Sequence, residues 1–219
     1  MFELEGYREA EDSSTYDSFS YDNLPPVRKE IFDGKYEWLK QSDIHERSIY
    51  AVDESGSQLS KLLTESTQKN VRLPEEFVNF MRSPELLKHI RSSTDCFFEL
   101  SENLLESPFG EGDFLIRFLN DSQGCLFWYL YITKDNDHFV IVSGKLLDPY
   151  EYADEDDDDD FVEDKIYDSD NEPQIYFCAA SFEEFVYRFW MENEIWYSLS
   201  YDHKSLTQKQ LNYVEHYQK

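Results

Sequence analysis

The sequence is short of positive charge. It carries 20 lysines and arginines against 47 aspartates and glutamates, a formal net charge of −27. Nucleic-acid affinity is built largely from Lys and Arg neutralising phosphates, and an anionic membrane surface repels a polyanion for the same reason. The deficit argues against both as partners and for a basic protein, or the basic patch of one. The same charge also keeps a chain soluble with no partner at all. At this level both readings stand.

Cysteine is scarce too. Cys96, Cys125 and Cys178 each lie in an apolar run, the count is odd, and no C-x-x-C pair occurs. This excludes a disulfide framework and fits small buried hydrophobes in a reducing compartment. Met1-Phe2-Glu3-Leu4-Glu5 shows no basic region followed by an apolar one, so no signal peptide is expected. No apolar run approaches membrane-spanning length. The expectation is a cytoplasmic protein.

Catalytic signatures are missing. There is no nucleophile elbow, P-loop or dinucleotide fingerprint. Gly110-Glu111-Gly112 lacks a third glycine at the proper offset and a following helix. His45, His89, His138, His203 and His216 show no pair at ligand spacing, and no cysteine stands in register with them. The acidic stretch from Asp154 to Phe161 lacks the alternation and central glycine of a calcium loop. Carboxylates are so abundant that coincidental pairs are expected. The reading is no enzyme, no metal and no cofactor.

Aromatic side chains are plentiful, at 17% of residues. Three runs rich in aromatic and β-branched residues follow one another: Phe114 to Leu119, Cys125 to Ile132, and His138 to Ser143. Polar turns separate them at Asn120-Asp121-Ser122-Gln123-Gly124 and Lys134-Asp135-Asn136-Asp137. That pattern predicts consecutive antiparallel strands. The middle run is apolar on both faces, which places it inside a sheet covered on both sides. Cys96 to Leu100 reads as a strand leading in, Asn103 to Gly112 as a connection, and Gln174 to Ala180 as a returning strand.

Helical signals flank the sheet. Leu59, Leu62 and Leu63 have helical spacing behind a Ser57 cap. Pro74 suits a first helical turn, and Glu75 and Glu76 favour the positive end of the dipole. Phe77, Phe80 and Met81 then form a stripe. Ser83-Pro84-Glu85 restarts the pattern with Leu86, Leu87 and Ile90. Ser181 with Glu184 forms a capping box ahead of Phe182, Phe185, Val186 and Phe189, which predicts a helix from Phe182 to about Trp196 packed on one sheet face. Thr207 and Gln210 offer another capping box before a final helix. Val27, Ile31, Trp38 and Leu39 suggest a short helix or turn broken at Gly34.

Residues 1–24 are acidic and predicted flexible. Residues 25–219 form one α+β domain: a mainly antiparallel β-sheet with helices packed on it, and an acidic insertion at 148–172 whose like charges resist packing. Exposed Trp and Tyr are favoured at protein interfaces, although core packing is the commoner role of any one of them.

Leu73-Pro74-Glu75-Glu76-Phe77 resembles the "L-P-x-x-[FY]" helix that opens the domain of the SUKH superfamily, which includes the yeast Smi/Knr cell-wall regulator and many bacterial immunity proteins. Gly112-Asp113 stepping into a strand, and Gly124 before an aromatic strand, are similar to its central sheet. Ala180-Ser181-Phe182-Glu183-Glu184-Phe185 is similar to its closing "S-F-x-E-F" helix start. The resemblance spans Val71 to Leu199. The usual "N-G-G" turn is replaced by Met81-Arg82-Ser83-Pro84, and the acidic insertion and both ends lie outside the pattern. The resemblance implies helices on an antiparallel sheet and a non-catalytic protein-binding role, often the neutralisation of a cognate toxin in the bacterial cytosol. Candidate contact residues are Asp121, Gln123 and Trp128 of the sheet and its loop, with Asp156, Asp157, Asp158, Asp159 and Asp160 of the insertion. An acidic DNA mimic that occupies a DNA-binding protein, a regulatory scaffold and an unrecognised enzyme remain as alternatives.

Overall fold

The structure, a computed structural model, describes residues 24–53, 55–148 and 175–216. The flexible segment predicted for residues 1–24 and the insertion predicted for 148–172 lie almost wholly outside the described residues. Leu24 is the exception at the first boundary and is buried. Asp148 is the exception at the second.

The architecture is α+β. Among the described residues, six strands form one antiparallel sheet: β1 (Phe97–Phe98), β2 (Leu105–Glu106), β3 (Phe114–Asn120), β4 (Phe127–Ile132), β5 (His138–Ser143) and β6 (Ile175–Ala179). Their order is β1-β3-β4-β5-β6, with β2 paired to the start of β3. The three central runs form the predicted strands because aromatic and β-branched residues pack well on a pleated surface. Tight turns join them, with Gly124 and Asn136 supplying positive φ.

β4 is the central strand. Trp128, Leu130 and Ile132 point to one face and Tyr129 and Tyr131 to the other, as a two-residue period requires. Both faces are covered. A break in register between Arg117 and Leu119 of β3 lets Phe118 and Leu119 both join the larger core.

Helices α1 (Glu37–Lys40), α2 (Ser57–Gln68), α3 (Glu75–Met81), the single turn α4 (Pro84–Leu87) and α5 (Phe182–Ser200) lie against that larger core, whereas α6 (Gln208–His216) packs on α5 through a separate cluster of Tyr213 with Tyr187 and Met191. Phe182 is the hinge of the packing. Its ring lies 4.9 Å from Phe77 of α3 and 5.0 Å from Phe118 of β3, both edge-on. Burying each such ring stabilises the fold by about 1.5–3 kcal/mol.

The opposite face closes over Tyr129, Tyr131, Phe139 and Ile141 with Leu105, Phe109 and Leu147. There Arg117 bonds Glu99 at 2.6 Å and Asp148 at 2.9 Å, and the Tyr129 hydroxyl also donates to Asp148 at 2.9 Å. The last described residue before the acidic run is thus anchored on the sheet.

Several expectations need correction. Gly56, not Ser57, is the N-cap of α2; Ser57 is the first helical residue, and the Asp53 carboxylate ahead of the helix accepts from Gln58 N at 2.6 Å. The strand expected over Cys96 to Leu100 is regular only at Phe97 and Phe98: before them Cys96 N turns to Ser92 Oγ, and after them the pairing with β3 becomes irregular, Glu99 N donating to Phe118 O at 3.1 Å and Ser101 N to Arg117 O at 3.0 Å. The connection from Asn103 to Gly112 contains β2. Ile90 lies past the end of α4, and α5 runs one turn further than expected, to Ser200.

Candidate binding groove

α5 is anchored at its start. Ser181 Oγ accepts from Glu184 N at 3.1 Å, as the capping box requires. The Glu76 carboxylate of α3 accepts from Phe182 N at 2.8 Å and Glu183 N at 3.3 Å. It is also 3.3 Å from His138 Nε2. Burial alone would raise the Glu76 carboxyl, but His138 and these amides outweigh it and hold the group below its ordinary range.

Glu183 beside it shifts the other way. Burial raises it, and the neighbouring Glu76 and Asp33 charges add to that, against hydrogen bonds from Gly34 N and Trp38 Nε1. Two carboxyls pushed apart are the signature of acid–base pairs in active sites. Here both oxygens of Glu183 are taken, by Trp38 Nε1 at 2.8 Å and Gly34 N at 2.7 Å, and the side chain is wholly buried. This cluster fastens α3, α5 and the 33–38 segment together.

The other end of α5 borders an open groove of about 1190 Å³. Its walls are residues 41–47, the last turns of α5, and the link into α6. The 41–47 wall is held in place by His45 N donating to Lys88 O at 2.9 Å and by His45 Nε2 at 3.1 Å from Glu194. On the far side, Thr207 and Gln210 cap α6 reciprocally, with Thr207 N to Gln210 Oε1 at 2.8 Å. Tyr213 ties α6 to α5 through Glu192 at 2.7 Å.

Arg91 forms the floor. Its guanidinium grips both Glu194 oxygens, at 2.9 and 2.8 Å, and Asp202 at 3.0 Å, and lies 4.1 Å from the Tyr197 ring centre. Burial opposes ionisation of Glu194, but His45 and Arg91 keep it below the usual carboxylate range; a hydrogen bond from Arg91 does the same for Asp202. These carboxylates stay ionised and fully engaged, as in a structural network.

Around this floor stand apolar groups open to solvent. Ile44 is 70% exposed, Tyr201 59% and Trp196 43%. Aromatic and apolar groups of this size, with an arginine between them and charged groups at the margin, make up the usual anatomy of a protein-contact surface.

The sequence-predicted contact residues lie elsewhere. Trp128 is fully buried in β4, 6.2 Å from Phe185, and no partner can touch it; the strand alternation places it on the helix-covered face. Asp121 is largely buried and its carboxylate accepts from Gln123 N and Cys125 N, so it shapes the β3–β4 turn. Gln123 is exposed at that turn, outside the groove. Asp156, Asp157, Asp158, Asp159 and Asp160 lie outside the described residues. The signal for the groove was Trp196, Tyr197 and Tyr201 at the end of the strongest helical pattern. Ile44 gave none, standing alone between charged and polar residues.

Among the described residues, no group of three or more His, Cys, Asp or Glu side chains is placed to hold a metal ion, and no helix is long and apolar enough to cross a membrane. No protein-family model, curated protein or solved structure matches the chain.

Proposed function

We propose that the chain is a non-catalytic protein-binding module of SUKH type, acting in the cytoplasm as an immunity protein that neutralises a cognate toxin by direct binding. One observation carries the reading: Ile44, Trp196 and Tyr201 stand exposed together around a groove on whose floor Glu194 and Asp202 are already bound by Arg91. Apolar anchors surrounded by satisfied polar groups supply binding energy at little desolvation cost. The net charge of −27 supplies the approach, steering a basic partner from a distance.

The order of elements supports the family assignment. A Leu-Pro helix, an antiparallel sheet and a Ser-Phe helix follow one another as the SUKH resemblance implies. The engaged carboxylates at both ends of α5 favour binding over acid–base chemistry.

The test is the affinity of the purified partner for wild-type protein and for Trp196→Ala with Tyr201→Ala. The reading predicts at least a hundred-fold loss in the double variant, equivalent to about 2.7 kcal/mol. Unchanged affinity would show that the partner binds elsewhere.

A further inference from the structure

The groove differs in charge from the chain as a whole. Overall, acids outnumber bases by 47 to 20. Along the groove the two are equal in number. On its floor, Arg91 stands against Glu194 and Asp202. The two sides above that floor are unlike each other. The 41–47 wall exposes the acids Asp43 and Glu46, with Arg47 beside them. The far side, on the link into α6 and the start of that helix, exposes Lys204 and Lys209. Among the described residues, no ion pair engages Asp43, Glu46, Arg47 or Lys209. Lys204 Nζ lies 3.6 Å from Asp202, a carboxylate that Arg91 already holds.

A groove with an acidic wall and a basic wall selects its occupant. A surface of single-sign charge matches one wall only. A second copy of the chain matches both. In a two-fold pair the same patch serves on each side, so that residue i touches j and j touches i. The 41–47 wall of each copy then faces the Lys204 and Lys209 side of the other, and every acid–base contact occurs twice. Two copies at −27 repel each other as whole bodies. A stretch with no net charge lifts that opposition locally, since more distant charges are screened beyond about 8 Å at physiological salt.

We propose that two copies of the chain pair through this groove as a two-fold dimer. Asp43 and Glu46 of each copy lie against Lys204 and Lys209 of the other. The exposed Ile44, Trp196 and Tyr201 form the apolar centre of the contact. The inference goes beyond the reading of the groove as a toxin site and needs no toxin. A foreign partner that enters the groove displaces the second copy.

Sedimentation of the full chain over a range of concentrations, with charge-reversed variants, tests this. The expected result for wild type is a reversible monomer–dimer equilibrium. Asp43→Lys with Glu46→Lys makes both walls basic, and Lys204→Glu with Lys209→Glu makes both acidic. Each variant alone should therefore dimerise at least about ten-fold more weakly. Mixed one to one, the two variants should form a heterodimer, a recovery that misfolded variants cannot show. The inference is overturned by a wild type that is monomeric at every concentration, by variants that dimerise as well as wild type, or by weakened variants that do not pair when mixed. None of these results touches the toxin reading, which the partner's affinity for Trp196→Ala with Tyr201→Ala decides.

Discussion

The carboxylate of Glu76, on α3, accepts a hydrogen bond from the amide of Phe182, the first residue of α5, at 2.8 Å. An anion supplied by one helix thus occupies the positive end of another, across 106 residues of sequence. This contact fixes where α5 begins, and so where its far end meets the groove.

Glu76→Gln should destabilise the fold by about 1 kcal/mol at neutral pH. Because the folded-state Glu76 carboxyl is lowered, its contribution is complete above the ordinary carboxylate pKa and is lost as pH falls through the folded value. Urea unfolding of wild type and variant should therefore differ at pH 7 and converge in strong acid. Glu183, raised in the fold, acts with the opposite sign: its ionisation opposes folding, and that cost is relieved as pH falls toward the ordinary carboxylate pKa.

Arg188 and Glu184 form a buried pair, with Nε and Nη2 at 3.1 and 3.0 Å from Glu184 Oε1, and Arg188 Nη1 also donates to Pro25 O. Arg188→Leu should cost about 3–5 kcal/mol in urea unfolding, because it strips a buried carboxylate of its main partner. Adding Glu184→Leu should recover part of that loss.

Trp128 and Trp196 should respond in opposite ways. Trp128→Ala removes a fully buried ring and should cost about 3–5 kcal/mol of stability. Trp196→Ala should change stability by no more than about 0.5 kcal/mol, being at the surface, and show its effect in binding. Thermal unfolding separates the two.

Arg91→Met should loosen the groove without unfolding the core. It frees Glu194 and Asp202 and removes the cation over Tyr197. Hydrogen exchange at 41–47 and 197–202 should accelerate while β3, β4 and β5 stay protected.

The central strands were legible because alternation and turn residues are local signals. Phe127 to Ile132 could be assigned to a covered strand from its own composition. The start of α5 was written in Ser181 and Glu184. What was illegible depended on distance in sequence or on a single extra residue. The Glu76 cap joins residues with no local relation, and the irregularity at Phe118 that turns both it and Leu119 inward has no marker in Arg117-Phe118-Leu119. β2 is two residues long, below the length at which alternation can be seen. The groove failed for the same reason: its walls come from residues 41–47 and from α5, and only the fold joins them. Trp128 was misassigned against its own local signal: the run around it reads as covered on both faces, and the general preference of tryptophan for interfaces says nothing about a position inside such a strand.

The most direct test of the central claim is a pull-down with the full chain and with the Trp196→Ala, Tyr201→Ala double variant, at low and moderate salt. The account predicts one basic protein retained by wild type, weakened as salt rises and lost with the double variant. A partner held equally by both proteins, or insensitive to salt, would contradict it.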